Sequence, residues 1–380
     1  MKVARKLISL LAVAVLLGAQ GAYAVPKADS AQTKKKVSAA GAALLDVATG
    51  RLLFAENEHA RLPMASTTKV MTALLTLEHE NLDTVLTVPK EAYGVEGSSM
   101  YLKLGEKITV RDLLYGLMLA SGNDAAVTLA VRIGGSVQGF ADMMNARAAE
   151  LGCADSHFVT PNGLHDDNHY TSAYDLALIA SAAMKNPAFR EIVGTKTWRT
   201  STGEEPRYLR NKNKILWEYE GGSGVKTGFT KKAGRCLVFS AERDGHTVVG
   251  VVLAAPDMWN DAKGILDYGF QNYAWKTFVK AGDTVAAADV ETGMKNSLEI
   301  LAKEDILIPV RADEPADAVE LRVNAPRVVD APVYAGQAVG SLEAWSGGRK
   351  LASVPLVAAE TVLRKDYPYY LWELGRAWVA

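Results

Sequence analysis

At 380 residues the chain is too long for one compact core and implies two domains plus end segments. Its apolar and charged fractions, 49% and 22%, are those of an ordinary globular protein. A formal net charge of −1, with no long basic stripe, excludes the electrostatic footprint of a nucleic-acid binder.

The N-terminus reads as an export signal. Lys2, Arg5 and Lys6 precede an apolar run over 7–17, and Ala22-Tyr23-Ala24 offers the small residues of a cleavage site after Ala24. The run is shorter than the roughly 20 residues a membrane-spanning helix needs. The mature protein is therefore expected outside the cytoplasmic membrane, after a lead-in over 25–37 that carries Lys34-Lys35-Lys36.

Residues 38–280 read as one domain. Runs at 42–46 and 51–55 flank the turn-prone Ala48-Thr49-Gly50 and predict a hairpin. After Pro63, apolar spacing predicts helices over 68–79, 110–119, 124–133, 140–151 and 172–185, the last capped by Thr171-Ser172. The apolar runs 236–241 and 247–254, joined through Asp244-Gly245, predict a second hairpin, and 260–275 reads as helix. Strands, many helices, strands and a helix imply an α+β fold, a helical cluster packed on an antiparallel sheet. From 281 to 360, short runs at 284–288, 306–310, 319–323, 333–338 and 351–357 alternate with Pro and Gly and predict a small all-β domain. The final segment, 361–380, gathers Tyr367, Tyr369, Tyr370, Trp372 and Trp378 beside Arg364, Lys365 and Arg376. Such a mixture suits a membrane interface, or a helix docked on the β domain and interrupted at Pro368. Cys153 and Cys236 could pair or remain as two buried thiols, and neither has metal-site spacing.

Three short motifs carry chemistry. Ser66 and Lys69 in Ser66-Thr67-Thr68-Lys69 fall on one helical face, where a lysine of lowered pKa can take the serine proton. Ser-x-x-Lys alone is a weak signal, since Ser66 could simply cap the helix. Ser121-Gly122-Asn123, between two predicted helices, has the composition of an ordinary turn. Equally, Ser121 could relay a proton while the Asn123 amide binds a substrate carbonyl. Lys226-Thr227-Gly228, after Gly221-Gly222-Ser223-Gly224, sits at a strand edge where Lys226 and Thr227 can hold a carboxylate and Gly228 admits substrate backbone.

In this order the three motifs resemble those of the penicillin-recognising serine enzymes. Within them the chain is similar to the D-alanyl-D-alanine carboxypeptidases of the low-molecular-mass penicillin-binding type, peptidase family S11, over about residues 38–276. The likeness takes in Asp46-Val47-Ala48-Thr49-Gly50, Leu62-Pro63-Met64-Ala65, Ala120-Ser121-Gly122-Asn123-Asp124-Ala125-Ala126, His157-Phe158-Val159-Thr160-Pro161-Asn162-Gly163-Leu164 and Gly224-Val225-Lys226-Thr227-Gly228. The resemblance implies that Ser66 attacks the bond between two D-alanines and becomes acylated, with Lys69 as proton acceptor. Ser121, with Lys226 nearby, would pass a proton to the departing D-alanine. Asn123 would position the stem peptide, and Lys226 and Thr227 would bind its terminal carboxylate. The backbone N–H groups of Ser66 and Phe229 would form the oxyanion hole. Which lysine is the neutral base stays open, because two close amines shift each other's titration.

The family also implies peptidoglycan stem peptides as substrate, β-lactams as inhibitors and no cofactor. Two positions depart from its pattern: Met258-Trp259 replaces an arginine that many relatives carry, and Phe229 stands where some have histidine. A class A β-lactamase would add a glutamate in a Glu-x-x-x-Asn context, and none of Glu150, Glu191, Glu204, Glu205, Glu218 or Glu220 has it. His165 and His169 lie in a Gly-, Asp- and Asn-rich stretch that reads as a solvated or structural loop, not as a metal site.

Overall fold

The computed structural model describes residues 36–379 apart from residue 316. The expected signal segment 1–24 and the lead-in up to residue 35 lie outside the described residues.

The chain opens with the hairpin β1 (Gly41–Asp46) and β2 (Leu52–Glu56), whose turn is fixed by the Asp46 carboxylate accepting from the Thr49 N–H and hydroxyl. A 3₁₀ turn, Ala65–Thr68, runs into α1 (Lys69–His79). The short strands β3 (Val85–Thr87) and β4 (Lys107–Thr109) pair before α2 (Val110–Tyr115), which widens into a π-helical turn over Gly116–Ala120. Helices α3 (Asn123–Gly134), α4 (Val137–Glu150), α5 (Ala173–Met184) and α6 (Pro187–Gly194) complete the helical layer. A hairpin of β5 (Thr197–Arg199) and β6 (Tyr208–Arg210) and the single turn α7 (Ile215–Glu218) lead to β7 (Gly222–Thr230), β8 (Gly234–Arg243) and β9 (His246–Leu253). Helix α8 (Met258–Asn272) follows.

The main sheet has the order β2-β1-β9-β8-β7, with every pairing antiparallel. Residues in its central strands alternate between two cores. Ala43, Leu45, Val238, Val249 and Val251 pack with helices α1 to α6. Ala42, Leu44, Leu237, Phe239, Val248 and Val252 pack with Ala262, Ile265 and Leu266 of α8. Burial of both faces explains the unbroken apolar runs there, where a half-exposed sheet would alternate polar and apolar residues. Asp244 (φ 51°) and Gly245 (φ 78°) both take positive φ, as the tight hairpin between β8 and β9 requires. The expected fold class, a helical cluster on an antiparallel sheet followed by an all-β unit, is therefore the observed one.

Some elements differ from expectation. Helix α6 escaped the sequence reading, although Asn186 caps it, Pro187 opens it and Phe189, Ile192 and Val193 share one face, because its eight residues make little more than two turns. The helix expected over 260–275 stops at Asn272, and β10 (Tyr273–Val279) begins directly after it. That strand pairs antiparallel with β13 (Ile306–Arg311). Between and beyond them β11 (Thr284–Glu291), β12 (Ser297–Ala302), β14 (Glu320–Asn324), β15 (Val328–Asp330), β16 (Ala338–Ser346) and β17 (Arg349–Ala358) form a six-stranded sheet. The run 333–338 is mostly turn: Gln337 N–H donates to Tyr334 O, Gly336 takes φ 79°, and Val333 makes a lone bridge to Val362. Arg51 ties the β unit to the first hairpin, donating to Pro309 O and pairing with Glu314, while Trp275 Nε1 donates to Asp46 Oδ1 at 2.9 Å. The chain ends in α9 (Tyr367–Val379), where Pro368 occupies the first turn, a position that tolerates a missing N–H, and does not interrupt the helix.

Candidate active site

Ser66 lies in the 3₁₀ turn immediately before α1, so the winding of the chain carries Ser66 and Lys69 to one face. The turn is entered through Ala65 at φ 48°, a left-handed conformation that a residue with a Cβ adopts rarely. Two hydroxyls hold it: Thr67 Oγ1 donates to Met64 O at 2.5 Å, and Thr68 Oγ1 to Ala65 O at 2.8 Å.

Lys69 is fully buried, and its Nζ lies 3.0 Å from Ser66 Oγ, 2.7 Å from Asn123 Oδ1 and 2.7 Å from Asn162 O. Burial, then the positive charge of Lys226, holds its pKa well below the ordinary lysine value, against a smaller opposing pull from Asp124. The partner set suits a neutral amine. Two N–H groups can donate to the two carbonyl oxygens, leaving the lone pair toward the Ser66 hydroxyl.

Helix α2 and its π turn end at Ser121, buried and left-handed at φ 65°, and α3 starts two residues later at Asn123. Asn123 is clamped from both ends: its amide Nδ2 donates to Glu96 O at 2.5 Å, and its backbone N–H donates to Ser98 O at 2.7 Å. The Asp124 carboxylate then accepts from Ser99 Oγ and from the N–H groups of Met100 and Leu102. Together these bonds draw the 96–102 loop against the start of α3.

Lys226, Thr227 and Gly228 lie on β7, the edge of the main sheet. A Cβ on Gly228 would stand 3.0 Å from Met64 O and Thr67 N and 3.1 Å from Ser66 N, so glycine is what lets this strand lie against the Ser66 turn. Lys226 is buried, donates from Nζ to Thr227 O at 2.8 Å and has no carboxylate partner among the described residues. Burial, then the nearby charge of Lys212, lowers its pKa to about 7. Lys212 is exposed and reaches Ala120 O, the residue before Ser121, at 3.4 Å. Phe229 is exposed. The structure thus joins Ser66, Lys69 and Asn123 by direct hydrogen bonds and lays Gly228 against Ser66. Lys226 lies close enough to Lys69 to act on its titration. Ser121 adjoins this cluster through Asn123, without a hydrogen bond to Ser66 or Lys69 among the described residues.

Sequence models of two families match the chain: D-alanyl-D-alanine carboxypeptidase, peptidase S11, over residues 27–257, and the penicillin-binding protein 5 C-terminal domain over residues 273–364. The chain belongs to the D-alanyl-D-alanine carboxypeptidase family S11. It is 32% identical over 377 residues to the carboxypeptidase DacF of Bacillus subtilis, covering 97% of each chain. To the carboxypeptidase of Streptomyces sp. strain K15 it is 38% identical, over 71% of this chain and 99% of that one. The crystal structure of penicillin-binding protein 5 from Haemophilus influenzae superposes with a TM-score of 0.70 at 29% identity, covering 88% of this chain and all of that one.

Two parts of this candidate site were not visible in its motifs. Asn162 contributes through its backbone carbonyl, which any residue possesses. His169, read as part of a solvated or structural loop, is buried: its Nδ1 accepts from the N–H of Val159 at 2.9 Å, and its Nε2 lies 2.7 Å from Thr68 Oγ1. Among the described residues no cluster of His, Cys, Asp and Glu is arranged to hold a metal ion. Cys153 and Cys236 are separate buried thiols.

Burial lowers the His169 pKa from 6.5 to about 4. As pH falls below 6.5 the unfolded chain takes up a proton that the folded one refuses until about pH 4. This contribution to stability is complete above pH 6.5 and is lost between there and pH 4, to a limit of about 3 kcal/mol. Urea unfolding at pH 7 and pH 4.5 should therefore show a smaller loss for His169→Gln than for wild type. Equal losses would remove His169 from the acid response.

Proposed function

We propose that this carboxypeptidase removes the terminal D-alanine from peptidoglycan stem peptides through an acyl-enzyme on Ser66, and that penicillin acylates the same serine. The carrying observation is the Lys69 amine, buried with no carboxylate partner among the described residues and set between Ser66 Oγ and two carbonyl acceptors. The Ser66 hydroxyl attacks the carbonyl between the two D-alanines as its proton passes to Lys69. The oxyanion is held by the backbone N–H groups of Ser66 and Phe229. The C–N bond then breaks, and the departing amine takes a proton through Ser121 with Lys226 nearby. Water attacks the resulting ester, D-alanine having left, and frees Ser66. Asn123 orients the stem peptide, and Thr227, Lys226 and Gly228 receive its terminal carboxylate at the strand edge.

Release of D-alanine from a diacylated Lys-D-Ala-D-Ala tripeptide tests the reading. Free D-alanine in stoichiometric yield with the shortened peptide supports it, and an intact tripeptide after prolonged incubation rejects it.

We place the enzyme outside the cytoplasmic membrane and assign α9 to its surface. Tyr367, Tyr370, Leu371, Trp372, Leu374 and Trp378 are exposed on that helix, and Arg376 lies 4.9 Å over the Trp372 ring. No described helix is long and apolar enough to cross a membrane, so the attachment would be interfacial. Ending the chain after Asp366 spares the Val333–Val362 bridge. That truncation should move the protein from the membrane pellet to the supernatant with kcat/KM changed less than about twofold. Retention in the pellet would return the helix to a packing role.

A further inference from the structure

His169 is a buried imidazole, and the catalytic steps above leave it unused. Its protonation pattern is fixed by its neighbours. The Val159 N–H donates to Nδ1 at 2.9 Å and the Thr160 N–H lies 3.4 Å from it, so Nδ1 carries the lone pair and Nε2 the hydrogen. Nε2–H therefore donates to Thr68 Oγ1 at 2.7 Å. The Thr68 hydroxyl has one proton, and with its lone pair engaged by His169 that proton points to Ala65 O at 2.8 Å. The result is a one-way chain: Val159 N–H to His169, His169 to Thr68, Thr68 to the carbonyl of Ala65.

That carbonyl belongs to the peptide whose other end is the Ser66 N–H. A peptide unit is planar, so fixing its oxygen fixes the direction of its N–H. Ala65 is also the residue held at φ 48°, a left-handed conformation that a residue with a Cβ keeps only under restraint. The loop carrying Asn162 presses on the same atom, since a Cβ on Gly163 would overlap Ala65 O.

We propose that His169 is a positioning residue for acylation: through Thr68 it anchors the Ala65 carbonyl and so aims the Ser66 N–H at the developing oxyanion. The assignment rests on Ser66 being the acylated serine. Burial, aided by His157 and His165 against the opposing charge of Asp166, lowers its pKa to about 4, so the imidazole is neutral at pH 7 and the chain of donors keeps its direction there.

The test is stopped-flow acylation of the full chain by a fluorescent penicillin, separating the non-covalent dissociation constant from the acylation rate constant. Thr68→Val keeps shape and removes the hydroxyl; it should slow acylation about 30-fold while the dissociation constant moves less than about threefold. Thr68→Ser restores the hydroxyl and should return the rate to within about threefold of wild type. His169→Ala should resemble Thr68→Val, and the double variant should be no slower than the slower single, because both interrupt one chain. Thermal melts on each variant separate the folded fraction from the rate.

Wild-type acylation by Thr68→Val, or single effects that multiply in the double variant, would overturn the proposal. A wild-type enzyme that penicillin does not acylate at Ser66 would instead overturn the reading of the site on which it rests.

Discussion

A fluorescent penicillin should label the wild-type protein covalently at Ser66, and Ser66→Ala should lose that label together with D-alanine release, by about a thousandfold or more. The loss should not come from unfolding. Ser66 is half-buried in a turn held by the hydroxyls of Thr67 and Thr68 and by Lys69, and Lys69 keeps its bonds to Asn123 and Asn162 when the serine hydroxyl is removed. A melting temperature within a few degrees of wild type is expected for the variant. The wild-type adduct should also persist, because among the described residues no carboxylate is hydrogen-bonded to Ser66, Lys69 or Lys226. Glu150 is paired with Arg147, Glu191 accepts from Tyr115, Glu204 pairs with Lys103 and Glu218 with Lys263. Intact-mass measurement followed by peptide mapping reads both points. A label retained by Ser66→Ala, or mapped to another residue, would reject the assignment, and rapid loss of the adduct would assign β-lactamase chemistry to the site.

Much of this site was legible because its residue types are chemically specific and its motifs local. Ser66 and Lys69 meet by helical spacing alone, and Asp244-Gly245 could hardly be other than a tight hairpin. Gly228 declares a close approach but not its partner; that it faces the Ser66 turn follows from the order of strands, which brings β7 to the sheet edge beside that turn. What stayed hidden acts through the backbone or through burial. The carbonyl of Asn162 has no signature in its side chain, and His169 sits among Asp166, Asp167 and Asn168, whose polarity marks a surface loop although the imidazole itself turns inward. The boundary at β10 was hidden for a related reason: Tyr273, Ala274 and Trp275 continue the apolar pattern of α8, and the change to strand is imposed by pairing with Arg311, Val310 and Pro309. Long-range partners decide such cases, and periodicity does not report them.

The largest effect after loss of the nucleophile should come from Lys69. Two buried amines, Lys69 and Lys226, share a site in which no carboxylate among the described residues is bonded to either, and both pKa values are lowered, chiefly by burial. Each also feels the charge of Lys212, and Asp124 alone opposes the shift at Lys69. Such a pair titrates together, so the pH profile reports the pair and not one residue. Acylation requires Lys69 without its proton. The rate should therefore rise with pH across an acidic limb and fall away as Lys69 takes up its proton, beside a Lys226 that is itself lowered to about 7. Lys212→Ala removes a positive charge that disfavours protonation, so it should raise both pKa values and move the limb to higher pH. Lys69→Arg replaces the amine with a guanidinium that stays charged at any working pH and cannot accept the serine proton. It should slow acylation about a thousandfold or more and abolish the limb. Rate constants for penicillin acylation measured from pH 5 to pH 10 in the three proteins decide the matter. A limb that does not move in Lys212→Ala would separate these charges from the reaction. Appreciable acylation by Lys69→Arg would show that the proton leaves Ser66 by another route.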